Sequence, residues 1–566
     1  MFERIEKKLL LLLRESIESS PTRSSSTPPL KNVLDSLCLE IPKEREFGDL
    51  SSSIALRLSS VLQKNPRSVA EDIVAKFKLL VAKRKDDKLI KDIEVKGAGF
   101  INIFLRDEVF FELLTSVNKE GDDFARSSLG RGMRLLLEFV SANPTGSLSV
   151  AHARQAAVGD ALVNVLSMMG YKVTREYYLN DEGNQINILG RSIDLRYRQL
   201  CGEVVEFPQD HYQGQYIVDL AKALFEDEAS KKRIGGLQAQ QREEFFIEYG
   251  VHKILDIIKK ELEDFGVHFD VWYSQKTLRE SGKIEKVLAQ FRKKGLIYEA
   301  EGALWFKSTR FGDDKDRVVR KSDGSYTYLA PDIAYHQDKF KRGFHKLINI
   351  WGPDHHGYVP RLKAAVKALG KDDEALAIII VQLATLFRQG EPVPMSTRKG
   401  QYVTLREVLN EVGRDASRFF FLMRKTDSHL DFDLGLAKSQ TSENPVYYIQ
   451  YAHARIAGIL AEADKKGLSP KGLNLSLLKE EEERDLMKTI FGFSYCLYVC
   501  VRQLDPYSLT VYLQSLAAAF HRFYDRHKVL STDEHLTRAR LFLIRAVKII
   551  LSDGLKMIGV SSPERM

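Results

Sequence analysis

The stretch Leu135-Leu-Leu-Glu-Phe-Val-Ser-Ala-Asn-Pro-Thr-Gly-Ser-Leu-Ser-Val-Ala-His-Ala-Arg154 decides the fold. Residues 135–140, apolar but for Glu138, read as a strand, and Asn143, Pro144 and Gly146 break it. From Val150 the apolar residues Ala153, Ala157, Val158, Ala161, Leu162, Val165 and Met169 recur at helical spacing, and Gly170 stands where a helix-ending glycine belongs. Residues 171–179 read as the next strand. A strand, a helix and a second strand in this order predict a parallel sheet. The helix then opens at the carboxyl edge of that sheet, where its free N–H groups and His152 suit a nucleotide phosphate.

Outward from this unit the chain divides into three parts. Residues 1–115 begin with an amphipathic helix carrying a run of leucines. A Ser/Thr/Pro-rich loop over 19–29, a helix to about Gln63 and an extended segment over 93–105 follow, which together predict a small α+β domain. Residues 130–431 read as an α/β domain of Rossmann type, interrupted by a charged, helical insertion over 191–293. Residues 300–307 and 346–350 read as strands, and 318–328 as a hairpin turning at Asp323-Gly324. From 432 to 566 the apolar residues follow a helical period throughout, which predicts an all-α helix bundle.

Composition narrows the function class. A chain of 566 residues with 44% hydrophobic content can build several cores, and a net charge of +8 permits a basic face for nucleic acid. Cys38, Cys201, Cys496 and Cys500 have neither disulfide nor zinc spacing; Cys496 and Cys500 read as core thiols. No run approaches the roughly 18 apolar residues of a membrane span. The chain therefore reads as a reduced, cytoplasmic protein without a membrane partner. Asp354, His355 and His356 lack metal-ligand spacing, so no protein-bound metal is expected.

The motifs resemble one family. Ser-Ala-Asn-Pro-Thr-Gly followed by Leu148, Val150 and His152-Ala-Arg154 is similar to the ATP-binding signature of the arginyl-tRNA synthetases, which are class I aminoacyl-tRNA synthetases. Further strings stand in the family's order along the chain: Phe47-Gly-Asp49 with 97–102 ahead of it, then the 328–336 and 352–358 segments, Arg414 to Arg418 with 447–455, and the closing Gly554 to Met566. The usual His-x-Gly-His is here Ser149-Val-Ala-His152, and the usual Lys-Met-Ser-Lys is Pro394-Met-Ser-Thr397 with Arg398 and Lys399 after it. Ser149 has a shorter reach than histidine, and Ala151 adds a methyl where adenine would lie against backbone.

The resemblance implies ATP-dependent activation of L-arginine to arginyl-adenylate and transfer to the terminal ribose of tRNA(Arg). It implies that Ala142, Asn143, Pro144, Thr145, Gly146, Ser147, Leu148, Ser149, Val150, Ala151 and His152 hold ATP, together with Gly352, His355 and Met395. His152, Ser149, Ser396, Arg398 and Lys399 would be catalytic. Glu138, Ser141, Asn143, Tyr328 and Asp332 would hold arginine, with a carboxylate for the guanidinium and an aromatic face beside it. Tyr447, His453, Arg455 and Met566 would face tRNA. Mg2+ would arrive with ATP, and the chain would act as a monomer. The altered signatures also leave open a tRNA-binding protein without catalysis, and a ligase for another amino acid would show an apolar or metal-lined pocket instead.

Overall fold

The computed structural model describes residues 2–19, 28–42, 44–84, 88–393, 402–468 and 472–566. Its centre is a five-stranded parallel sheet built from β1 (Arg134–Glu138), β2 (Lys172–Leu179), β3 (Val271–Ser274), β4 (Lys346–Trp351) and β5 (Leu376–Ile380), in the order β5-β4-β1-β2-β3. Leu135, Leu136 and Leu137 are all buried, as a central strand covered on both faces requires. Helix α1 (Val150–Met168) crosses from β1 to β2 and ends at Gly170, whose φ of +86° few other residues adopt. Gly159 lets α1 lie close to the strand end, because a Cβ there would sit 2.4 Å from the Phe139 ring. Strand order reverses between β1 and β4, so the crevice at their carboxyl ends is the switch point where such sheets bind ligands. Helix α2 (Leu329–Lys341) runs back to β4 and lines this crevice.

The tract expected to be a helical insertion is not wholly helical. Its helices are Asn184–Leu200, Gln215–Glu226, Glu228–Gly235 and Ala239–Asp264, then β3 returns to the main sheet before the helices Gln275–Glu280 and Lys283–Lys293. β3 is an edge strand with four half-exposed residues, so it leaves no buried apolar run to read. The hairpin expected over 318–328 forms a strand at Arg317–Arg320 and a tight turn at Gly324, and returns only as a bridge between Arg320 and Tyr326.

In the amino-terminal part the helices Ile54–Leu62 and Pro66–Arg84 pack on a three-stranded antiparallel sheet, and helix Phe2–Glu18 packs against Pro66–Arg84. The segment read as one extended piece is two strands, Ile90–Lys96 and Phe100–Leu105, paired around Gly97 and Gly99, both at positive φ. Helix Pro66–Arg84 was not expected. The carboxyl-terminal helices are Pro445–Lys465, Glu481–Gln503, Tyr507–Arg526 and Glu534–Met557. Residue 432, the expected start of the bundle, falls inside the strand Leu430–Asp433, which pairs parallel with Ala384–Arg388.

Candidate active site

Beyond β1 the chain turns through Val140 and Ser141 at φ 67° and 41°. Consecutive non-glycine residues in the left-handed region are strained, and a β-branched one is an outlier. The turn is held from outside: the Ser141 hydroxyl accepts from the Tyr178 amide at 3.1 Å, and Tyr177 donates to the Ala142 carbonyl at 2.8 Å. Asn143 donates to Gln185 and accepts from Asn180. Tyr216 of the insertion donates to the Thr145 carbonyl at 2.6 Å, and Glu261 accepts from the Leu148 amide at 3.0 Å. Pro144, Gly146 and Ala142 lie in the same turn.

His152 occupies the first turn of α1. The Ser149 amide points at its Nδ1 at 3.2 Å, and the Ser149 hydroxyl lies 3.1 Å from the same atom. An amide only donates, so Nδ1 accepts and the ring proton sits on Nε2. Burial lowers the imidazole to about 4, against the opposing pull of Asp354. Arg154, two residues on, is buried and donates to the carbonyls of Gln382, Lys425 and Ser428. It is a structural clamp between α1 and the segment that follows β5.

Asp332 lies in the first turn of α2, and the Tyr358 hydroxyl donates to its Oδ2. Burial pushes the carboxyl up to about 6; the Tyr358 hydrogen bond and Lys339 oppose the rise, and Glu138 adds to it. One and two turns further along α2 stand His336 and Lys339. His336 Nδ1 donates to the Asp332 carbonyl at 2.8 Å and Nε2 meets the Asn349 amide nitrogen at 3.0 Å. Lys339 donates to Glu138 and, at 3.4 Å, to Asn349. Ser141 donates to the other Glu138 oxygen at 3.3 Å.

The expected residues are only partly brought together. Glu138, Ser141, Asn143 and Asp332 gather at the carboxyl ends of β1 and β4. Tyr328 does not join them: it precedes α2 with 79% of its surface exposed, and Tyr358 takes the place beside Asp332. Tyr358, His336, Asn349 and Lys339 were missed. The spacing of Asp332, His336 and Lys339, four and then three residues, puts them on one helix face and was readable. Gly352 starts the turn after β4, where a Cβ would sit 2.7 Å from Asp354 Oδ1. His355 is exposed, its ring 5.7 Å from that of Trp351.

Met395, Ser396, Arg398 and Lys399 lie outside the described residues. The flanks are fixed: Val393 donates to the Leu386 carbonyl, and Tyr402 donates to the Ser147 carbonyl at 3.1 Å. Val403 and Leu405 pair with Val150 and Leu148, so the chain re-emerges against the start of α1. Among the described residues no group of three or more His, Cys, Asp or Glu side chains could hold a metal, and no helix is long and apolar enough to cross a membrane.

At the helix bundle, Arg455 is exposed and lies over the rings of Tyr451 and Tyr524 at 5.4 and 4.9 Å. Tyr447 stacks on Tyr451, and Met566 is exposed. His453 does not face solvent. It is buried, with Nδ1 donating to the Pro563 carbonyl at 2.9 Å, because the chain end folds back over its side of the helix.

The chain matches three family descriptions in order: "Arginyl tRNA synthetase N terminal domain" over residues 12–105, "tRNA synthetases class I (R), catalytic domain" over 117–431 and "DALR anticodon binding domain" over 449–566. It is 46% identical over 564 residues to the arginine–tRNA ligase of Bacillus subtilis, covering 99% of this chain and 100% of that one. The arginine–tRNA ligase of Citrifermentans bemidjiense is 48% identical over 550 residues, 96% of each chain. The fold is that of the Thermus thermophilus arginyl-tRNA synthetase, with TM-score 0.76 at 20% identity over 99% of this chain and 100% of that one. With these matches spanning both ends and the nucleotide turn between them, the chain belongs to the arginyl-tRNA synthetase family of class I aminoacyl-tRNA synthetases.

Proposed function

We propose that the crevice between β1 and β4 is where this chain performs the family's reaction, ligation of arginine to tRNA(Arg) at the expense of ATP. Asp332, held by Tyr358, pairs with the guanidinium, and Glu138 and Asn143 hold the α-ammonium end. The arginine carboxylate is thereby aimed at the α-phosphorus of ATP lying over residues 142–152. His152 donates from Nε2 to the phosphate, and the N–H groups at the start of α1 add to it. ATP enters with Mg2+, which needs no ligand from the protein. Arg398 and Lys399 meet the departing pyrophosphate, Ser396 and Ser149 support the same oxygens, and Gly352, His355 and Met395 border the adenosine. Tyr447, Arg455 and Met566 bound the tRNA surface, and the enzyme works as a cytoplasmic monomer.

The observation that carries this reading is Asp332: a carboxyl buried enough to rise to about 6, at the switch point of the sheet, held by the Tyr358 hydroxyl and in no ion pair among the described residues. A guanidinium supplies that cation in the bidentate geometry carboxylates favour. The test is arginine-dependent ATP–pyrophosphate exchange, run with and without tRNA(Arg). Exchange that depends on arginine and is lost in Asp332→Asn supports the reading. Exchange in Asp332→Asn at the original arginine concentration dependence removes it.

A further inference from the structure

Lys339 has no accessible surface, yet it carries an ammonium into the middle of the arginine crevice. That ammonium donates to Glu138 and to Asn349 Oδ1 and lies 4.0 Å from the centre of the Tyr335 ring. Asn349 passes the connection on: its amide nitrogen donates to His336 Nε2, and His336 Nδ1 donates to the backbone carbonyl of Asp332. The direction of every hydrogen bond is fixed, since an ammonium only donates and a carbonyl only accepts. One unbroken chain therefore joins Glu138 on β1 to Asp332 on α2, the two ends of the pocket.

A buried ion pair gives little net stability over an apolar pair of the same size, so stability is a weak reason for this lysine. Charge is a better one. Glu138 and Asp332 bring two negative charges and Lys339 one positive. Among the described residues the other groups that face these three directly add none, Arg361 lying behind Tyr358 at 5.0 Å from its ring centre. Arg342 neutralises Glu176, His336 is held neutral, and Tyr178, Tyr335 and Tyr358 are phenols whose burial raises them further. The pocket is left with one negative charge, and arginine, with guanidinium, ammonium and carboxylate, carries one positive.

We propose that Lys339 is a positioning residue of the arginine site, which orients Glu138 and the Asn349–His336 chain and sets the pocket's net charge to match arginine. The proposal rests on the reading of Asp332 and Glu138 as arginine ligands. The balance of charges on Asp332 supports it: Glu138 favours its protonation and Lys339 opposes it.

The test is calorimetric titration of the full-length protein with L-arginine between pH 5 and 8. In the native protein affinity falls as the pH drops through the Asp332 range, because a neutral carboxyl cannot pair with a guanidinium. Lys339→Met is expected to move that midpoint up by about one pH unit, and Lys339→Arg to leave it in place. Since Lys339→Met strands Glu138 as a buried unpaired charge, Glu138→Gln and the double variant Glu138→Gln/Lys339→Met are measured as well. These two differ only in the ammonium, and the double variant is expected to have the higher midpoint. Equal midpoints in that pair, or an unshifted Lys339→Met, overturn the proposal. Asp332→Asn separates it from the reading beneath: arginine affinity kept at pH 7 in Asp332→Asn defeats the site assignment. Affinity lost there with unshifted Lys339 variants defeats only the role of Lys339.

Discussion

His152 is kept neutral by two effects of the same sign. Burial lowers its pKa to about 4, and the Ser149 amide needs the Nδ1 lone pair that a second proton would occupy. The ring therefore offers a neutral Nε2–H throughout pH 5–8. Replacing His152 by Ala should slow pyrophosphate exchange by about 10²–10³ while arginine affinity stays close to native. No inflection of the rate between pH 5 and 8 should vanish with the histidine; one that did would show a cationic imidazole at work. Asp553 is the opposite case. It is 3% exposed, its Oδ2 has no partner among the described residues, and burial with Asp122 and Asp123 pushes it up to about 7. Its folded pKa lies above the ordinary carboxyl value, so the folded chain holds the proton more tightly than the unfolded one. Stability from this residue is thus present at low pH and lost as pH rises through about 7. Asp553→Asn should raise the urea midpoint at pH 8, by an amount corresponding to about 1–3 kcal/mol, and do much less at pH 5. Equal gains at the two pH values would point to packing rather than charge.

At the scale of elements, legibility followed burial. β1 and α1 could be read because three adjacent leucines, a helical apolar period and Gly170 all agree with the structure they adopt. β3 could not, because an edge strand of four half-exposed residues inside a charged tract has neither alternation nor an apolar run. The side chains of the site divide in the same way. Glu138 and Asn143 stand at the end of β1 and in the turn after it, a place that the local sequence marks. Tyr358 reaches Asp332 from 26 positions away, and nothing local announces the pairing. His453 was misread because a motif fixes position along a helix but not which face the chain end will cover. The segment 394–401 has fixed flanks at Val393 and Tyr402, the latter bonded to the turn that precedes α1. Cations brought to the phosphates by such a segment would act on the charge that grows on the departing pyrophosphate more than on bound ATP. Arg398→Ala and Lys399→Ala should accordingly lower the maximal exchange rate more than they raise the Michaelis constant for ATP. Full rate in both single variants and in the double variant would assign that charge to a cation elsewhere.

The molecule is tied together where its parts meet. Phe2 packs its ring against Phe491 and Tyr495 at 5.3 and 5.7 Å, joining the first helix of the chain to the bundle. The larger tie is Arg418, which is fully buried in helix Leu405–Leu422. It donates to Asp160 of α1 at 2.6 Å, to the Ile558 carbonyl at the end of the bundle at 2.8 Å, and to the Phe265 carbonyl at the end of helix Ala239–Asp264 at 3.2 Å. Gly559 makes room for it, since a Cβ there would lie 2.2 Å from Arg418 Nε. One guanidinium thus holds three regions of the chain to a fourth. Arg418→Met removes these bonds and strands Asp160 as a buried carboxylate whose remaining cation, Arg175, lies 3.5 Å away. The expected loss is about 3–5 kcal/mol, read as a lower urea midpoint. Adding Asp160→Asn removes the stranded charge but leaves the Ile558 and Phe265 carbonyls without their donor, at about 1–3 kcal/mol each. The double variant should therefore recover part of the loss and not all of it. Full recovery would mean that the two carbonyls find other partners and that the tie is only an ion pair. No recovery would mean that the charge on Asp160 is already met by Arg175 and that the loss lies in the two carbonyl bonds.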